Sequence, residues 1–125
     1  MTYLIVFFGG GIGATLRHGV NMASMRLFGT GFPYATMFEN ITGSLVMGLL
    51  VGYFAFRGAA GLHHWPLFLT TGILGGYTTF SAFSLDAVLL YERGMVGLAT
   101  FYVLGSVLLS IAGLVAGLTL ARNVF

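Results

Sequence analysis

The chain has 125 residues, of which 58% are hydrophobic and 6% are charged, whereas a soluble domain carries about 25% charged residues. This composition excludes a soluble globular protein and indicates a membrane protein. The five arginines form no basic cluster, so nucleic acid is not an expected partner. The lack of cysteine excludes disulfides and thiolate metal sites.

Four stretches are apolar over the roughly 20 residues that a helix needs to cross a bilayer. They predict spans at about 4–28, 34–56, 67–90 and 95–120, in a single all-α transmembrane domain covering 1–125. The first stretch lacks a basic leading segment, so we interpret it as a span and not as a cleaved signal peptide. In the second connection, His63 and His64 beside Trp65 suit interfacial anchors better than metal ligands.

The arginines in the connections do not indicate an orientation. Arg57 and Arg122 fall on one side of the membrane, and Arg26 and Arg93 fall on the other. Cytoplasmic loops normally carry the excess of positive charge. Two interpretations stay open: five charges are too few to judge, or the chain inserts in both orientations and forms an antiparallel dimer.

Small residues recur four apart along three of the predicted spans. The pairs are Gly9 with Gly13, Gly48 with Gly52, and Gly113 with Gly117; Ser106 and Ser110 lie on the same predicted face as the last pair. Such faces let helix backbones approach closely. They predict either packing within one chain or docking of a second copy.

The second span carries polar residues on one face. Thr36, Glu39, Asn40 and Gly43 follow at helical spacing. This stripe is either a polar helix end near the headgroups or the lining of a water-filled vestibule, and the depth of Asn40 favours the vestibule. Arg17 in the first span could reach the interface, pair with Glu39, or attract an anion to a pore mouth.

The third span contains a run that predicts a broken helix. Two glycines, Gly75 and Gly76, precede the pair Thr78-Thr79. Non-helical backbone at membrane depth is tolerated only inside protein or beside an aqueous cavity, and its freed carbonyls can coordinate a cation. Phe80 and Phe83 follow the break; they are either packing residues or pore-lining residues. We find no catalytic motif, so an enzyme is not predicted.

Three motifs in chain order resemble the signatures of one family, the CrcB/Fluc fluoride channels. They are Gly10-Gly11-x-Gly13-Ala14-x-x-Arg17, Thr36-Met37-x-x-Asn40-x-x-Gly43 and Gly72-x-x-Gly75-Gly76-x-Thr78-Thr79-Phe80-Ser81-x-Phe83-Ser84. The resemblance extends over the length of the chain and its number of predicted spans.

The resemblance implies a multi-pass protein of the inner membrane that lets fluoride leave passively and so confers fluoride resistance. It implies an antiparallel, dual-topology homodimer with two pores and a central structural sodium ion. The residues that it implicates in the pore are Asn40, Phe80, Phe83, Ser81, Ser110, Thr36 and Arg17, and the sodium ligands would be the backbone carbonyls of Gly75 and Thr78.

Three positions depart from the family pattern. Ala35 replaces a glycine, Ala82 replaces a threonine hydroxyl beside the phenylalanines, and Glu39 stands where valine is common. A carboxylate at Glu39 would repel fluoride unless it is protonated or paired with Arg17. Glu39 also supports an alternative, a proton-coupled small multidrug exporter, although those proteins carry their essential glutamate in the first helix. A non-transporting assembly subunit is a third possibility.

Overall fold

The computed structural model describes residues 1–58 and 64–125, so the predicted loop residue His63 lies outside the described residues. Within these ranges the chain is helical and contains no strand, which confirms the all-α prediction. The helices are α1 (Thr2–Phe28), α2 (Tyr34–Arg57), α3 (65–77), α4 (Phe80–Glu92) and α5 (Val96–Val124).

Glycines end the helices at the connections. Gly29 follows α1 with φ 75°, and Gly94 follows α4 with φ 80°. This left-handed conformation is accessible to glycine without a steric penalty, and it turns the chain away from the helix axis. The first connection therefore lies where the glycine and proline content predicts it.

The paired small residues pack helices of the same chain against one another. A Cβ added to Gly9 would lie 2.8 Å from the Cα of Gly72, so α1 and α3 touch backbone to backbone. In the same way Gly48 on α2 meets Gly117 on α5, where an added Cβ would overlap the neighbouring backbone. Packing within the chain therefore accounts for the Gly9, Gly48 and Gly117 faces, as glycine does in other membrane helices.

The predicted break in the third span is present. Helix α3 ends at Tyr77, and Thr78 (ψ 157°) and Thr79 (φ −154°, ψ 125°) are extended before α4 begins. Helix α3 also contains a π-helical segment, Phe68–Leu74, that the sequence analysis did not anticipate. Since π-helical turns are rare and occur often at functional sites, this segment indicates that the third span contributes to function.

Large apolar side chains cover the outside of the protein, while few are buried. Tyr102 and Leu90 form the centre of a small core between α4 and α5. Three segments are long and apolar enough to cross a membrane: Tyr34–Arg57, Trp65–Glu92 and Val96–Val124. Helix α1 is not among them because glycines and Arg17 dilute its apolar character, so the fourth span stays a prediction.

Candidate ion pathway

Asn40 makes two hydrogen bonds to Thr79 in the break. Its Oδ1 accepts a hydrogen bond of 2.8 Å from the backbone N–H of Thr79, and its Nδ2 donates one of 3.0 Å to the carbonyl of the same residue. The side chain thus satisfies two backbone groups that the interrupted helix leaves without partners. Because one amide N–H of Asn40 is donated to Thr79, one N–H is left that could face an ion.

A cleft of about 430 Å³ opens beside Asn40, and we call it the Asn40 cleft. Its lining includes five of the predicted site residues, and they come from α2, the break, α4 and α5. The predicted residues are Asn40, Thr78, Phe80, Phe83 and Ser110, and Ser106 joins them. Residues that are far apart in the sequence therefore meet at one place, although their roles stay predictions.

The two phenylalanines differ in their surroundings. Their ring centroids are 5.4 Å apart, with the planes tilted by 51°. Phe83 is 8% exposed and packs 5.2 Å from the ring of Tyr102, whereas Phe80 is 77% exposed and projects from the chain. Phe83 therefore forms a wall of the cleft within one chain, and Phe80 has a free rim that another surface could approach.

Some hydroxyl groups near the Asn40 cleft make hydrogen bonds within the protein, and others have no partner among the described residues. Thr79 Oγ1 accepts a 3.1 Å hydrogen bond from the N–H of Ala82, which caps α4, and it also lies 3.2 Å from Ser81 Oγ. Ser81 is exposed and does not line the cleft. By contrast, the buried Oγ atoms of Ser106 and Ser110 have no hydrogen-bond partner among the described residues. Each can turn its O–H toward an ion in the cleft.

A second cleft, of about 360 Å³, lies at the end of the protein where α1 ends and α2 begins, and we call it the Asp86 cleft. Thr36, Asp86 and Arg93 are part of its lining. The hydroxyl of Tyr102 donates a 3.0 Å hydrogen bond to Asp86 Oδ2. Sequence reasoning missed this pair, although an acidic residue inside a membrane span is itself a signal of function.

Glu39 lies on the face of α2 between the two clefts. Thr36, one turn before it, lines the Asp86 cleft, and Asn40 and Gly43, after it, line the Asn40 cleft. The Glu39 side chain is 0% exposed, and neither carboxyl oxygen has a hydrogen-bond partner within residues 1–58 and 64–125. The pairing with Arg17 that the sequence left open is thus not made as a hydrogen bond, and Arg17 lines neither cleft.

Two carbonyl groups at the break are left without the backbone hydrogen bonds of a continuous helix. Among the described residues, the carbonyls of Gly75 and Thr78 receive no backbone hydrogen bond across the break, because the Thr79 N–H goes to Asn40 and the Ala82 N–H goes to Thr79 Oγ1. Gly75 is exposed on the outer surface of the chain. Carbonyl oxygens suit a hard cation, and the predicted sodium site at Gly75 and Thr78 stays a prediction.

Comparison with known proteins adds to this geometry. Residues 4–118 match the family described as CrcB-like protein, Camphor Resistance (CrcB). The chain is 68% identical over 124 residues to the fluoride-specific ion channel FluC of Rhodopseudomonas palustris (strain BisB5), covering 99% of each chain. It is 62% identical over 123 residues to fluoride-specific ion channel FluC 2 of Nitrobacter hamburgensis, covering 98% of each. The chain therefore belongs to the CrcB family.

Proposed function

We propose that the chain is the subunit of a fluoride-selective channel of the inner membrane, through which fluoride leaves the cell passively. The observation that carries this proposal is the Asn40 cleft, where an amide, two free serine hydroxyls and two phenyl rings line one space. The names of the relatives point to the same ion. Removal of fluoride from the cell would give fluoride resistance.

The groups in the cleft suit a small, strongly hydrated anion. A pore must replace the water around the ion with other donors, or the cost of dehydration stops its passage. The remaining N–H of Asn40 and the hydroxyls of Ser106 and Ser110 supply such donors. The positive edges of Phe80 and Phe83 can face an anion as well. A narrow pore built from these groups would exclude chloride, which is larger.

The proposed active form is an antiparallel homodimer with two pores. The Asn40 cleft is open on one side in a single chain, and Phe80 beside it is 77% exposed. A second copy could close this side with its own small residues and aromatic rings. The balanced arginines of the connections agree with insertion in both orientations.

A sodium ion at the centre of that dimer would be held by the carbonyls of Gly75 and Thr78. A two-fold axis near the break would bring two copies of each carbonyl together, which gives the oxygen-rich surroundings that hard cations prefer. The ion would supply positive charge that links the two breaks and offsets anion repulsion. The chain itself contributes the extended Thr78-Thr79 segment that leaves these carbonyls free.

We expect the purified protein to be less stable when sodium is replaced by N-methylglucamine. Binding to the folded dimer alone raises stability with ligand concentration, so the unfolding temperature should rise steadily as sodium is restored. Differential scanning fluorimetry in detergent measures this change. An unfolding temperature that does not respond to sodium would remove the ion from the proposal, while potassium at equal ionic strength controls for salt.

The exporter alternative loses its support. Proton-coupled exporters of that class carry their essential glutamate in the first helix, whereas Glu39 lies on α2. Family membership also favours the channel, since the relatives are named fluoride-specific ion channels. An assembly subunit without transport would leave the free hydroxyls of the Asn40 cleft without a use.

The experiment that tests the channel proposal is fluoride efflux from liposomes that contain this chain alone. With valinomycin and potassium to balance charge, we expect rapid fluoride release at a fluoride electrode and no matching chloride release. Release of neither ion from vesicles with verified protein content would contradict the proposal. Equal release of both ions would contradict its selectivity.

Phe80→Ile and Phe83→Ile should each slow fluoride efflux about tenfold. Isoleucine keeps the apolar bulk but lacks the positive ring edge, and a loss of about 1.4 kcal/mol in the barrier region corresponds to a tenfold decrease in rate. The efflux assay measures the rates, and Phe101→Ile is the matched control because Phe101 is an exposed α5 residue outside the Asn40 cleft. Unchanged rates in both cleft variants would mean that the two phenylalanines only pack and do not contact the ion.

A further inference from the structure

The buried Glu39 carboxyl is the feature of the molecule that the proposed function does not use. It lies between the Asp86 cleft and the Asn40 cleft on one face of α2. Two buried residues of α5 lie one helical turn apart. Ser106 lines the Asn40 cleft, and Tyr102 donates a hydrogen bond to Asp86, which lines the Asp86 cleft. If the two clefts belong to one ion path, that path follows the face of α2 that carries Glu39.

The two protonation states of this carboxyl would act on an anion in opposite ways. The neutral acid carries an O–H that can donate to fluoride, whereas the carboxylate has only acceptors and a negative charge. No described side chain occupies either oxygen of Glu39, so the O–H of the neutral acid would be free to turn toward a passing ion. In a buried setting a like charge repels strongly because the dielectric constant is low.

We propose that Glu39 is a proton-operated element of the fluoride path, which admits the ion when it is protonated and blocks it when it is ionised. The inference rests on the proposed channel function and adds a specificity-determining residue to it. The proton stays on Glu39 during passage, so conduction remains uncoupled. Fluoride would then leave fastest under acidic conditions, when most hydrogen fluoride enters a cell.

Other titratable groups surround Glu39 and must be separated from it. Helix α1 contributes Arg17 and α4 contributes Asp86, whose charges act on Glu39, and α5 contributes Tyr102, on which the charge of Glu39 acts. Helix α3 contributes Tyr77, whose hydroxyl is held by a threonine of α2 at 3.0 Å. Asp86 is the competing candidate for a pH response because it is the other carboxyl of this group.

The test is the pH profile of fluoride efflux from liposomes, with equal pH on both sides, between about pH 5.5 and about pH 9. We expect the wild-type rate to fall about tenfold with rising pH as one donated hydrogen bond is replaced by repulsion. Protein-free vesicles at each pH correct for leakage of hydrogen fluoride. Glu39→Gln keeps a donor and cannot ionise, so its rate should stay near the acidic wild-type rate at every pH.

Two matched variants identify the titrating group. His18 of α1 also lines the Asp86 cleft and can titrate in this pH range. Asp86→Asn and His18→Gln should keep the slope of the wild-type profile, since neither removes the Glu39 proton. A flat wild-type profile, a sloped Glu39→Gln profile, or a slope lost in Asp86→Asn would each overturn the proposal. Should Glu39→Gln not reconstitute, Glu39→Asp replaces it: a displaced midpoint supports the proposal and an unchanged midpoint overturns it. Absence of fluoride efflux at every pH would instead contradict the channel function.

Discussion

Asn40→Asp is expected to abolish fluoride efflux to within the background of the liposome assay. The carboxylate keeps the acceptor for the Thr79 N–H but has no donor for the Thr79 carbonyl, to which Asn40 gives a 3.0 Å hydrogen bond. It also places a negative charge at the Asn40 cleft. Loss of one buried hydrogen bond, about 1–3 kcal/mol, together with anion repulsion corresponds to a decrease of about 100-fold or more.

The control for this variant is Asn123→Asp, the same change at an exposed position near the end of α5. It should leave efflux unchanged. That result would show that the loss in Asn40→Asp depends on position 40 and not on the change of Asn to Asp in itself. Size-exclusion chromatography of both proteins shows whether they fold and assemble alike. If Asn40→Asp is well folded and conducts at the wild-type rate, Asn40 is not in the path and the Asn40 cleft is not the pore.

Gly13→Ala is expected to have the largest effect on folding. A Cβ at Gly13 would overlap the carbonyl oxygen of Ile73 and lie 2.8 Å from the backbone nitrogen of Tyr77. Both neighbours are backbone, so α1 and α3 must move apart to admit the methyl group. Overpacking of this kind typically costs about 1–3 kcal/mol. We expect a lower unfolding temperature and less monodisperse protein after extraction into detergent.

Gly19→Ala is the matched control on the same helix. Among the described residues, nothing lies within 4 Å of a Cβ at Gly19, so the change should be neutral or slightly stabilising through helix propensity. Equal unfolding temperatures for Gly13→Ala and Gly19→Ala would contradict the close approach of α1 and α3. Since this contact supports α3 next to the break, fluoride efflux should fall along with stability in Gly13→Ala.

Local chemistry was sufficient to predict the framework of the fold. Apolar stretches predicted helices whose ends lie within a few residues of the observed ones, because Gly29 and Gly94 end them by backbone conformation alone. The break at Thr78-Thr79 was predictable as well, since two glycines followed by two β-branched residues disfavour a helix. These are properties of short segments and need no knowledge of distant contacts.

The parts that were not predicted depend on tertiary contacts. The two hydrogen bonds from Asn40 to Thr79 join residues 39 positions apart, and the bond from Tyr102 to Asp86 joins α5 to α4. The π-helical segment places Gly72 against Gly9 on another helix. The full burial of Glu39 likewise follows from packing, so its position between the two clefts was not visible in the sequence.

Passive, selective fluoride conduction is tested by the reversal potential of the current through a planar bilayer that contains this chain alone. With a tenfold fluoride gradient and equal chloride on both sides, a fluoride-selective path predicts a reversal potential of about 59 mV with the sign expected for an anion. A pH gradient should alter the size of the current and leave that potential unchanged. A reversal potential near zero, or one that follows the pH gradient, would contradict passive and selective fluoride conduction.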